Sequence, residues 1–307
     1  MTAGIRWSFS FGDSLVPIPP VVIFDRALIR QRLRRALRAG QDNFLLARAS
    51  DDFLERLTTV KRDFKTIIDL GTPGPYLTAL LAQNTTTQVL HIGPVRAALG
   101  EGPGLVADEE ALPLRPECAD LVVSALALHQ VNDLPGALVQ IRRTLRPDGL
   151  FLGCLFGGRT LTELRTALAA AETEIEGGVS PRVAPFADIR DMGGLLQRAG
   201  FALPVTDSDV LTVRYASVFG LLADLRAMGA TNALVERSLR PMKRALLFRA
   251  AEIYAERFGD PDGRVRASFE LIFLSGWAPH ESQQKPLAPG SAKTRLADAL
   301  GVKDGKI

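Results

Sequence analysis

The sequence predicts an α/β protein built on a mainly parallel β-sheet with helices on both faces. Three observations support this fold class. Short apolar runs alternate with helical patterns from residue 66 to residue 156, which is the rhythm of strand–helix–strand crossover units. The apolar runs are nearly continuous, as in strands that helices cover on both sides. The chain has 307 residues, 47% of them hydrophobic and 23% charged, so one or two globular domains with a large core are expected.

Ahead of this pattern lies a basic helix, predicted at 24–40. Apolar residues recur there at helical spacing, and six arginines fill other positions. The arginines favour a solvated outer face. The alternative is a basic surface for an acidic partner or for the inner face of a membrane. A second helix is predicted at 51–60, where two acids in the first turn suit the helix dipole.

The first half of the chain then supplies strands and helices in alternation. Strands are predicted at 66–70, 88–92, 105–107, 119–128 and 149–156. Helices are predicted between most of them, at 75–83, 95–100 and 134–145. A Pro-Asp-Gly turn ends the last of these helices and starts the next strand.

The second half changes rhythm. Two amphipathic helices, a strand, a long helical stretch and a final strand are predicted at 159–174, 186–199, 210–215, 217–258 and 266–279. We therefore expect three regions: an N-terminal arm and basic helix cap at 1–60, an α/β domain at 61–285 with a helical insertion at about 217–258, and a flexible polar tail at 286–307.

Composition excludes several classes of protein. The net charge of +3 is too small to require nucleic acid as a partner, and three histidines rule out a histidine-rich metal site. Cys118 and Cys154 lack the spacing of metal ligands and are expected to be core residues in a reducing compartment. No apolar run approaches the ~18 residues of a membrane span, and no secretory signal is visible, so we expect a cytoplasmic location.

The segment TIIDLGTPGPYLTALLAQ has the outline of a strand, a glycine turn and a helix. A parallel sheet binds ligands at the carboxyl ends of its strands, so this loop is well placed for a nucleotide-type cofactor. Such a loop works through bare backbone N–H groups. Asp69, Gly71 and Gly74 retain part of this design. Pro73 and Pro75 weaken it, because proline has no N–H and fixes φ.

A second part of a nucleoside-binding site is an acid about 20 residues further on, which binds ribose hydroxyls. No Asp or Glu follows Asp69 until well past the second strand, and Gly93 takes the expected position. Asp108 and Glu109 follow the third strand, where a carboxylate would accept a hydrogen bond from an adenine amino group. The alternative is an exposed acidic turn. Two residues near the end of the fourth strand are small enough to line a cofactor pocket: Ser124 and Ala125.

Several motifs resemble those of a known family. ADEEALPL, DLVVSALALHQVNDLPGAL and LRPDGLFLG resemble a class I S-adenosylmethionine (SAM) methyltransferase. IFDRALIRQR, LFGGRTLTELRTALAAAETEIEGGVSPRVAPF, DMGGLLQRAGF and GWAPHESQQKP resemble the respiratory complex I assembly factor 5 family. This resemblance runs from about Ile23 to Ala292 and so covers most of the chain.

The resemblance implies a Rossmann-like, seven-stranded methyltransferase sheet with an antiparallel last strand. It implies SAM as the cofactor, a role in maturing NADH:quinone oxidoreductase, and a complex I subunit as the partner. Arginine hydroxylation of such a subunit is attributed to the mitochondrial branch of the family. The chain departs from the family's D-L-G-C-G-x-G-Y loop between Thr72 and Pro75, and Gly93 replaces the family's acid. The candidate cofactor-binding residues are Asp69, Gly71, Thr72, Gly74, Gly93, Asp108, Glu109, Ser124 and Ala125.

Few side chains are candidates for catalysis. Methyl transfer requires in-line positioning and, for nitrogen or oxygen acceptors, a base. His129 follows the fourth strand, where a base would face the donor, and Asp133 either orients it or caps the next helix. The loop GWAPHESQQKP, which carries His280, is expected beside the carboxyl edge of the sheet as a peptide-binding loop or a lid. An iron site would need His129 and His280 together with Asp133 or Glu281, and no metal is expected.

Three functions therefore compete. The first is SAM-dependent modification of a protein or small molecule, provided that the altered loop still binds the cofactor. The second is a non-catalytic assembly factor with a degenerate SAM site. The third is a protein arginine hydroxylase, which would add one oxygen to a subunit arginine. The expected partner is a complex I subunit, with peripheral membrane contact through the 24–40 helix and no nucleic acid.

Overall fold

Seven strands form one sheet in a computed structural model that describes residues 21–40, 43–84 and 87–284. The strands are β1 (Ile67–Leu70), β2 (Val89–Gly93), β3 (Gly104–Val106), β4 (Ala119–Ala125), β5 (Leu145–Phe156), β6 (Ala202–Tyr215) and β7 (Val265–Trp277). Their order across the sheet is β3-β2-β1-β4-β5-β7-β6. The first five strands pair in parallel, and β7 runs antiparallel to both β5 and β6. The expected seven-stranded sheet with an antiparallel last strand is confirmed.

Helices cover both faces of the sheet. They are α1 (Arg26–Arg38), α2 (Phe44–Thr59), α3 (Tyr76–Asn84), α4 (Leu134–Thr144), α5 (Thr162–Glu176), α6 (Ile189–Arg198), α7 (Val218–Ala227) and α8 (Arg244–Phe258). One hydrophobic core lies between the sheet and helices α2, α3, α5, α7 and α8. A second core lies on the opposite face, under α4 and α6. The strands are therefore buried on both sides, which explains their continuous apolar runs.

The strand order creates a crevice at the centre of the sheet. β1 and β4 are neighbours, yet from β1 the chain continues to β2 on one side and from β4 to β5 on the other. The connections therefore leave the carboxyl ends of β1 and β4 in opposite directions. Open α/β sheets bind their ligands at this kind of switch point.

Some elements differ from their predicted bounds. The helix predicted at 95–100 is a single 3-10 turn, Arg96–Ala98. The predicted helical stretch at 217–258 is two helices, because Gly229 adopts a φ of +71° just after α7 and residues 228–243 are not helical.

β6 is also longer than predicted and begins at Ala202 rather than at residue 210. Its first half carries Pro204 and two aspartates, which argue against a strand in the sequence. β6 is the edge strand, where proline and polar side chains are tolerated, and its pairing with β7 is irregular at this point.

Both cysteines are free; Cys154 is buried in the core and Cys118 is partly buried, as expected. No helix in the described part of the chain is long and apolar enough to cross a membrane. The first 20 residues of the predicted N-terminal arm, and the predicted tail at 286–307, lie outside the described residues.

Candidate functional site

The loop after β1 approaches its neighbours closely at a glycine. Gly71 adopts a φ of +75°, and its N–H donates to the carbonyl of Ile92 at 2.6 Å. A Cβ on this residue would lie 2.8 Å from Ala127 Cβ and 2.8 Å from Glu109 Oε1, so both would have to move. Gly74 in the same loop also has a positive φ, +110°, so the loop retains both glycines that its conformation requires, although its two prolines offer no N–H.

A buried polar cluster holds this loop in place. Asp69 is fully buried and accepts hydrogen bonds from the hydroxyls of Thr72 and Thr78, the latter at 2.6 Å. Thr72 Oγ1 also accepts from the N–H of Ala125 at 3.1 Å, which ties the loop to β4. His91 Nε2 lies 3.2 Å from the Thr72 carbonyl oxygen. Burial raises the pKa of Asp69, while His91 and the two hydroxyls oppose that rise.

The acids after β3 are paired with arginines of α1. Arg26 binds both Asp108, at 3.0 Å, and Glu109, and Arg30 binds Asp108 as well. Burial raises the pKa of Glu109, whose side chain is only 4% exposed. Burial acts in the same direction on Asp108, but the Glu110 N–H and the arginines outweigh it and hold the Asp108 pKa below its usual range. The alternative of an exposed acidic turn is therefore wrong for these two residues.

Helix α1 covers the site and is fastened to two separate loops. The side-chain oxygen of Asn132 accepts a hydrogen bond from the N–H of Phe24 at 2.7 Å. The N–H of Asp25 donates to the carbonyl of Ala233 at 2.8 Å. Further along the helix, Arg32 donates to the carbonyl of Thr231 at 2.7 Å. These contacts place the N-terminal helix and the loop after α7 in one cover over the crevice.

The prediction that α1 presents its arginines to solvent is correct for only half of them. The inner arginines contact carboxylates or carbonyl groups of the cover and the crevice: Arg26, Arg30 and Arg32. The outer arginines remain exposed: Arg34, Arg35 and Arg38. A helix whose apolar stripe packs on the protein also brings the flanking arginines against it, which explains the division.

Two cavities meet beneath α1. The first, here the loop cleft, lies over the 71–75 loop, is lined by Arg26, Arg30 and Glu109, and measures about 60 Å³. The second, here the apolar cavity, lies beside it toward α5 and α7 and measures about 360 Å³. Five residues line both cavities: His129, Gln130, Phe156, Met228 and Ala230. Ligand pockets typically measure ~300–1,000 Å³, so the loop cleft can hold a nucleoside only if the arginines of α1 move.

His129 stands where the loop cleft meets the apolar cavity. Its ring packs against Phe156, with ring centroids 4.7 Å apart, and against Phe186 at 6.1 Å. Its Nδ1 is buried and has no hydrogen-bond partner among the described residues. Burial lowers the pKa of His129 to about 3, so the imidazole is neutral at physiological pH. Leu126, with a φ of +52°, turns the chain from β4 toward this residue.

The other two candidate catalytic residues lie away from the ring of His129. Asp133 caps α4, and its carboxylate accepts from the N–H of Gly136 at 2.8 Å. His280 follows β7, which ends at the amino edge of the sheet because it runs antiparallel: the N–H of Ala278 donates to the carbonyl of Gly149 near the start of β5. The expectation that the GWAPHESQQKP loop lies beside the carboxyl edge is therefore wrong.

The proposed iron ligands are consequently not brought together. His129 is at the carboxyl edge and His280 at the opposite edge of the sheet. Within the described ranges, no group of three or more His, Cys, Asp or Glu side chains is placed to hold a metal ion.

The candidate cofactor residues do gather at the central crevice, at the ends of β1 to β4. Gly74 lies under α1, where a Cβ would be 3.3 Å from Leu37 Cδ2. Gly93 ends β2, and a Cβ there would be 3.3 Å from Leu99 Cδ2, so an acid at this position would be crowded. Ser124 is buried, and its hydroxyl has no partner among the described residues. The buried Asp69, Thr72 and Ala125 bond to one another or to the loop rather than facing an open space.

Arg26 and Arg30 are site residues that were not predicted from the sequence. A signal for them exists, because they are four residues apart and share a helix face with Ile29 and Leu33, both buried. Thr78, which donates to Asp69 from the first turn of α3, was not predicted either. Nothing in the sequence connects these residues with Asp69, Asp108 or Glu109, because the partners meet only through the fold.

Comparison with known proteins identifies the class of the fold. Residues 68–153 match a family model described as a methyltransferase domain. Among solved structures, the YcgJ protein from Bacillus subtilis is 13% identical, with a TM-score of 0.51 over 76% of this chain and 99% of that chain. The [4+2]-cyclase SpnF is 14% identical, with a TM-score of 0.50 over 85% of this chain and 98% of that chain. At these identities the structural likeness shows the fold alone.

Sequence relatives are more informative. The mitochondrial arginine-hydroxylase NDUFAF5 of Rattus norvegicus is 37% identical over 92% of this chain and 85% of the relative. The Homo sapiens protein of the same name is 39% identical over 90% of this chain and 83% of the relative. A malonyl-[acyl-carrier protein] O-methyltransferase of Halorhodospira halophila is 32% identical over 91% of this chain and 97% of the relative.

Proposed function

The chain belongs to the NDUFAF5 family of methyltransferase-fold proteins, and on that premise we propose that it acts in the maturation of NADH:quinone oxidoreductase by modifying or binding a subunit. Support comes from the extent of the similarity, which spans more than four fifths of the rat and human NDUFAF5 proteins and extends well beyond the matched methyltransferase domain. The protein partner is then a subunit of that enzyme.

The cofactor proposed for the loop cleft is SAM, with its adenine amino group at Asp108. The pairing of Arg26 and Arg30 with Asp108 and Glu109 is the observation that carries this proposal. The two carboxylates already accept N–H donors at the position where an adenine amino group would donate.

Helix α1 then controls entry of the cofactor. The loop cleft measures about 60 Å³ while the arginines are paired, which is too small for a nucleoside. SAM must therefore displace Arg26 and Arg30 from at least one carboxylate before its adenine can bind. Of the remaining candidate residues, Gly71 and Glu109 line the cleft, whereas Asp69, Thr72 and Ala125 hold the loop beneath it.

A calorimetric titration of the full chain with SAM and S-adenosylhomocysteine tests the cofactor proposal. We expect micromolar binding that Asp108→Ala abolishes, and thermal stabilisation of about 2.7 kcal/mol at 100 times the dissociation constant. Asp51→Ala, which removes an exposed aspartate of α2, is the matched control and should bind like the wild type. Absence of binding at millimolar SAM would reject the cofactor proposal.

A non-catalytic role is the alternative favoured by Pro73, Pro75 and the closed cleft. In this alternative the protein still binds a subunit of NADH:quinone oxidoreductase but catalyses no reaction. Deletion of the gene should then still lower the amount of assembled NADH:quinone oxidoreductase, and the Asp108→Ala protein should restore it. Restoration by wild type but not by Asp108→Ala would reject the non-catalytic alternative.

Hydroxylation of a subunit arginine is a second candidate, favoured by the name of the rat and human relatives. Mass spectrometry of the assembled enzyme distinguishes it from methyl transfer. Hydroxylation adds one oxygen to the arginine, whereas methylation adds one CH₂. Either modification should disappear in the deletion strain, and an unmodified subunit in the wild type would remove both enzymatic candidates.

The exposed arginines of α1 are the surface proposed for peripheral contact with an anionic membrane or an acidic partner: Arg34, Arg35 and Arg38. Anionic vesicles should bind the wild type at low salt and bind the triple alanine variant less, because each basic residue near such a surface contributes about 1 kcal/mol. Equal binding of both proteins would reject the membrane contact.

A further inference from the structure

The apolar cavity has the dimensions of a ligand site. Its volume of about 360 Å³ lies within the range of small-molecule pockets, ~300–1,000 Å³. Leucine and phenylalanine are the commonest residues of its wall, and those in and next to α5, α7 and β7 include Leu161, Leu164, Leu168, Leu222, Leu225 and Phe269. It opens toward the loop cleft at His129, so a molecule bound there would lie next to the proposed cofactor.

The charges on this wall are all positive. Among the described residues, no aspartate or glutamate lines the apolar cavity, whereas Arg182 and Arg226 both do. Arg182 is paired through one terminal nitrogen with Glu172, which lies behind it on α5. Arg226 is exposed and forms no ion pair among the described residues. A guanidinium in this cavity would lose its water and meet the unpaired charge of Arg226 with no carboxylate of the described wall to pair with.

Two buried nitrogens at the wall have no hydrogen-bond partner among the described residues: His129 Nδ1 and Arg182 Nε. Buried polar groups are normally satisfied, so unsatisfied ones next to a cavity indicate a partner that enters it. The Arg182 N–H can only donate, and it therefore requires an acceptor such as an oxygen. The neutral His129 ring offers either a donor or an acceptor, depending on its tautomer.

We infer that the apolar cavity binds a medium-chain or aromatic carboxylic acid, whose apolar body fills the leucine-rich wall and whose oxygens approach Arg182, Arg226 and His129. The inference deepens the proposed function by naming a ligand class for the neighbouring site, and in that respect it rests on it. An arginine side chain, in contrast, is excluded from this cavity. A subunit arginine that the protein acts on must bind elsewhere.

A matched series of ligands with one chain and three head groups tests this inference on the full chain. Dodecanoate, dodecanol and dodecylguanidinium are titrated by calorimetry below their micelle concentrations, without SAM and without any subunit. We expect dodecanoate to bind at least tenfold more tightly than dodecylguanidinium, with dodecanol between them. Equal affinities, a preference for the guanidinium, or no binding of dodecanoate at its solubility limit would overturn the inference.

Two variants test whether the ligand binds in the apolar cavity. Leu222→Trp adds volume at the wall and should weaken dodecanoate and dodecanol alike by more than tenfold. Arg226→Glu, at an exposed position that does not threaten folding, should weaken dodecanoate about fivefold and leave dodecanol within twofold. Arg190→Glu makes the same charge change at an exposed position on α6, beyond the opposite face of the sheet, and is the control.

Unchanged dodecanoate affinity in both wall variants would also overturn the inference, because the ligand would then bind elsewhere. The test is independent of the proposed function. Loss of SAM binding or of subunit association leaves the head-group preference intact, whereas a lost preference leaves the maturation role untouched.

Discussion

In the loop cleft, two arginines pair with two carboxylates, and of these side chains only Arg26 has a buried nitrogen, Nε, without a partner among the described residues, whereas the wall of the adjoining apolar cavity has two such nitrogens, His129 Nδ1 and Arg182 Nε, and no carboxylate among its described residues. The cleft is also nearly filled, at about 60 Å³, and the cavity is open, at about 360 Å³. The cleft and the cavity share His129 and four other wall residues. They are therefore direct neighbours, although their chemistry differs.

This difference indicates how each half of the site would bind its ligand. A cofactor in the cleft must replace contacts that the chain already makes with itself. A ligand in the cavity replaces nothing and satisfies atoms that the chain leaves unsatisfied. The ion pairs in the cleft therefore stabilise the position of α1 that closes it. The apolar cavity, in contrast, is already open before a ligand binds.

Removal of Arg26 should produce the largest loss of stability. Arg26→Met leaves the buried Glu109 without its partner, and breaking a pair of this kind costs about 3–5 kcal/mol. Urea unfolding measures the loss. Arg214→Met, which breaks exposed pairs with Asp260 and Asp262, should cost far less, because solvent screens those pairs. Equal losses for the two variants would show that the cleft does not depend on its charge pairing.

The second largest loss of stability is expected from substitutions in the loop beneath the cleft. Thr72→Val removes the hydroxyl that joins Asp69 to the N–H of Ala125, so two buried groups lose a partner, at a cost of about 2–3 kcal/mol. Thr78→Val removes one hydrogen bond to Asp69 and should cost about half as much. If Thr78→Val cost more in urea unfolding, Thr72 would not be the residue that fixes the loop.

In the cavity, removal of a polar group should change stability little. His129→Phe replaces an unsatisfied ring with an apolar one, so stability at pH 7 should stay within about 1 kcal/mol. The folded-state pKa of His129 is lowered to about 3, below its unfolded value near 6.5. The unfolded chain therefore binds the proton first, and the wild type should lose stability relative to the variant as pH falls below about 6.5, by about 1 kcal/mol per pH unit.

Thermal unfolding between pH 7 and pH 5 measures this effect of His129. His280→Phe, at an exposed histidine beyond the opposite edge of the sheet, is the matched control. If the His129→Phe and His280→Phe proteins showed the same pH dependence, the neutral buried state of His129 would be wrong.

The smallest effect on stability is expected from Arg30, whose side chain is 31% exposed. Arg30→Ala should cost less than about 1 kcal/mol and should raise SAM affinity about threefold, because one Asp108 oxygen no longer needs to be vacated. Arg34→Ala, one turn further along α1 and exposed, should change neither quantity. Weaker SAM binding by Arg30→Ala would mean that Arg30 contacts the cofactor instead of competing with it.

The sequence predicts the sheet well and the site only in part. Apolar runs and turns place β1, β2, β4 and β5 within a few residues, since these strands are buried on both faces and their composition follows from that burial. β6 is missed in its first half because an edge strand may carry Pro204 and aspartates without losing its pairing with β7.

The site depends on contacts between distant parts of the chain, which local patterns do not encode. Asp108 follows β3 and lies at the crevice, but its arginine partners come from a helix whose local sequence indicates a basic, solvated face. His280 was misplaced because the direction of β7 decides at which edge of the sheet its loop emerges. The apolar cavity has no local signature at all, since its wall combines residues from α5, α7, α8 and β7.

The fastening of α1 has a consequence for the order of events during synthesis. Arg32 binds the carbonyl of Thr231, 199 residues later in the chain, and Asp25 pairs with Ala233. At ~5–20 residues per second, about 200 residues take about 10–40 s to follow, and until they emerge α1 has only its contacts with the first half of the chain, such as those with Asp108, Glu109 and Asn132. β1 to β5 are therefore synthesised before α1 can attach to the loop after α7. Complete attachment of α1 requires a chain that has been translated past residue 233.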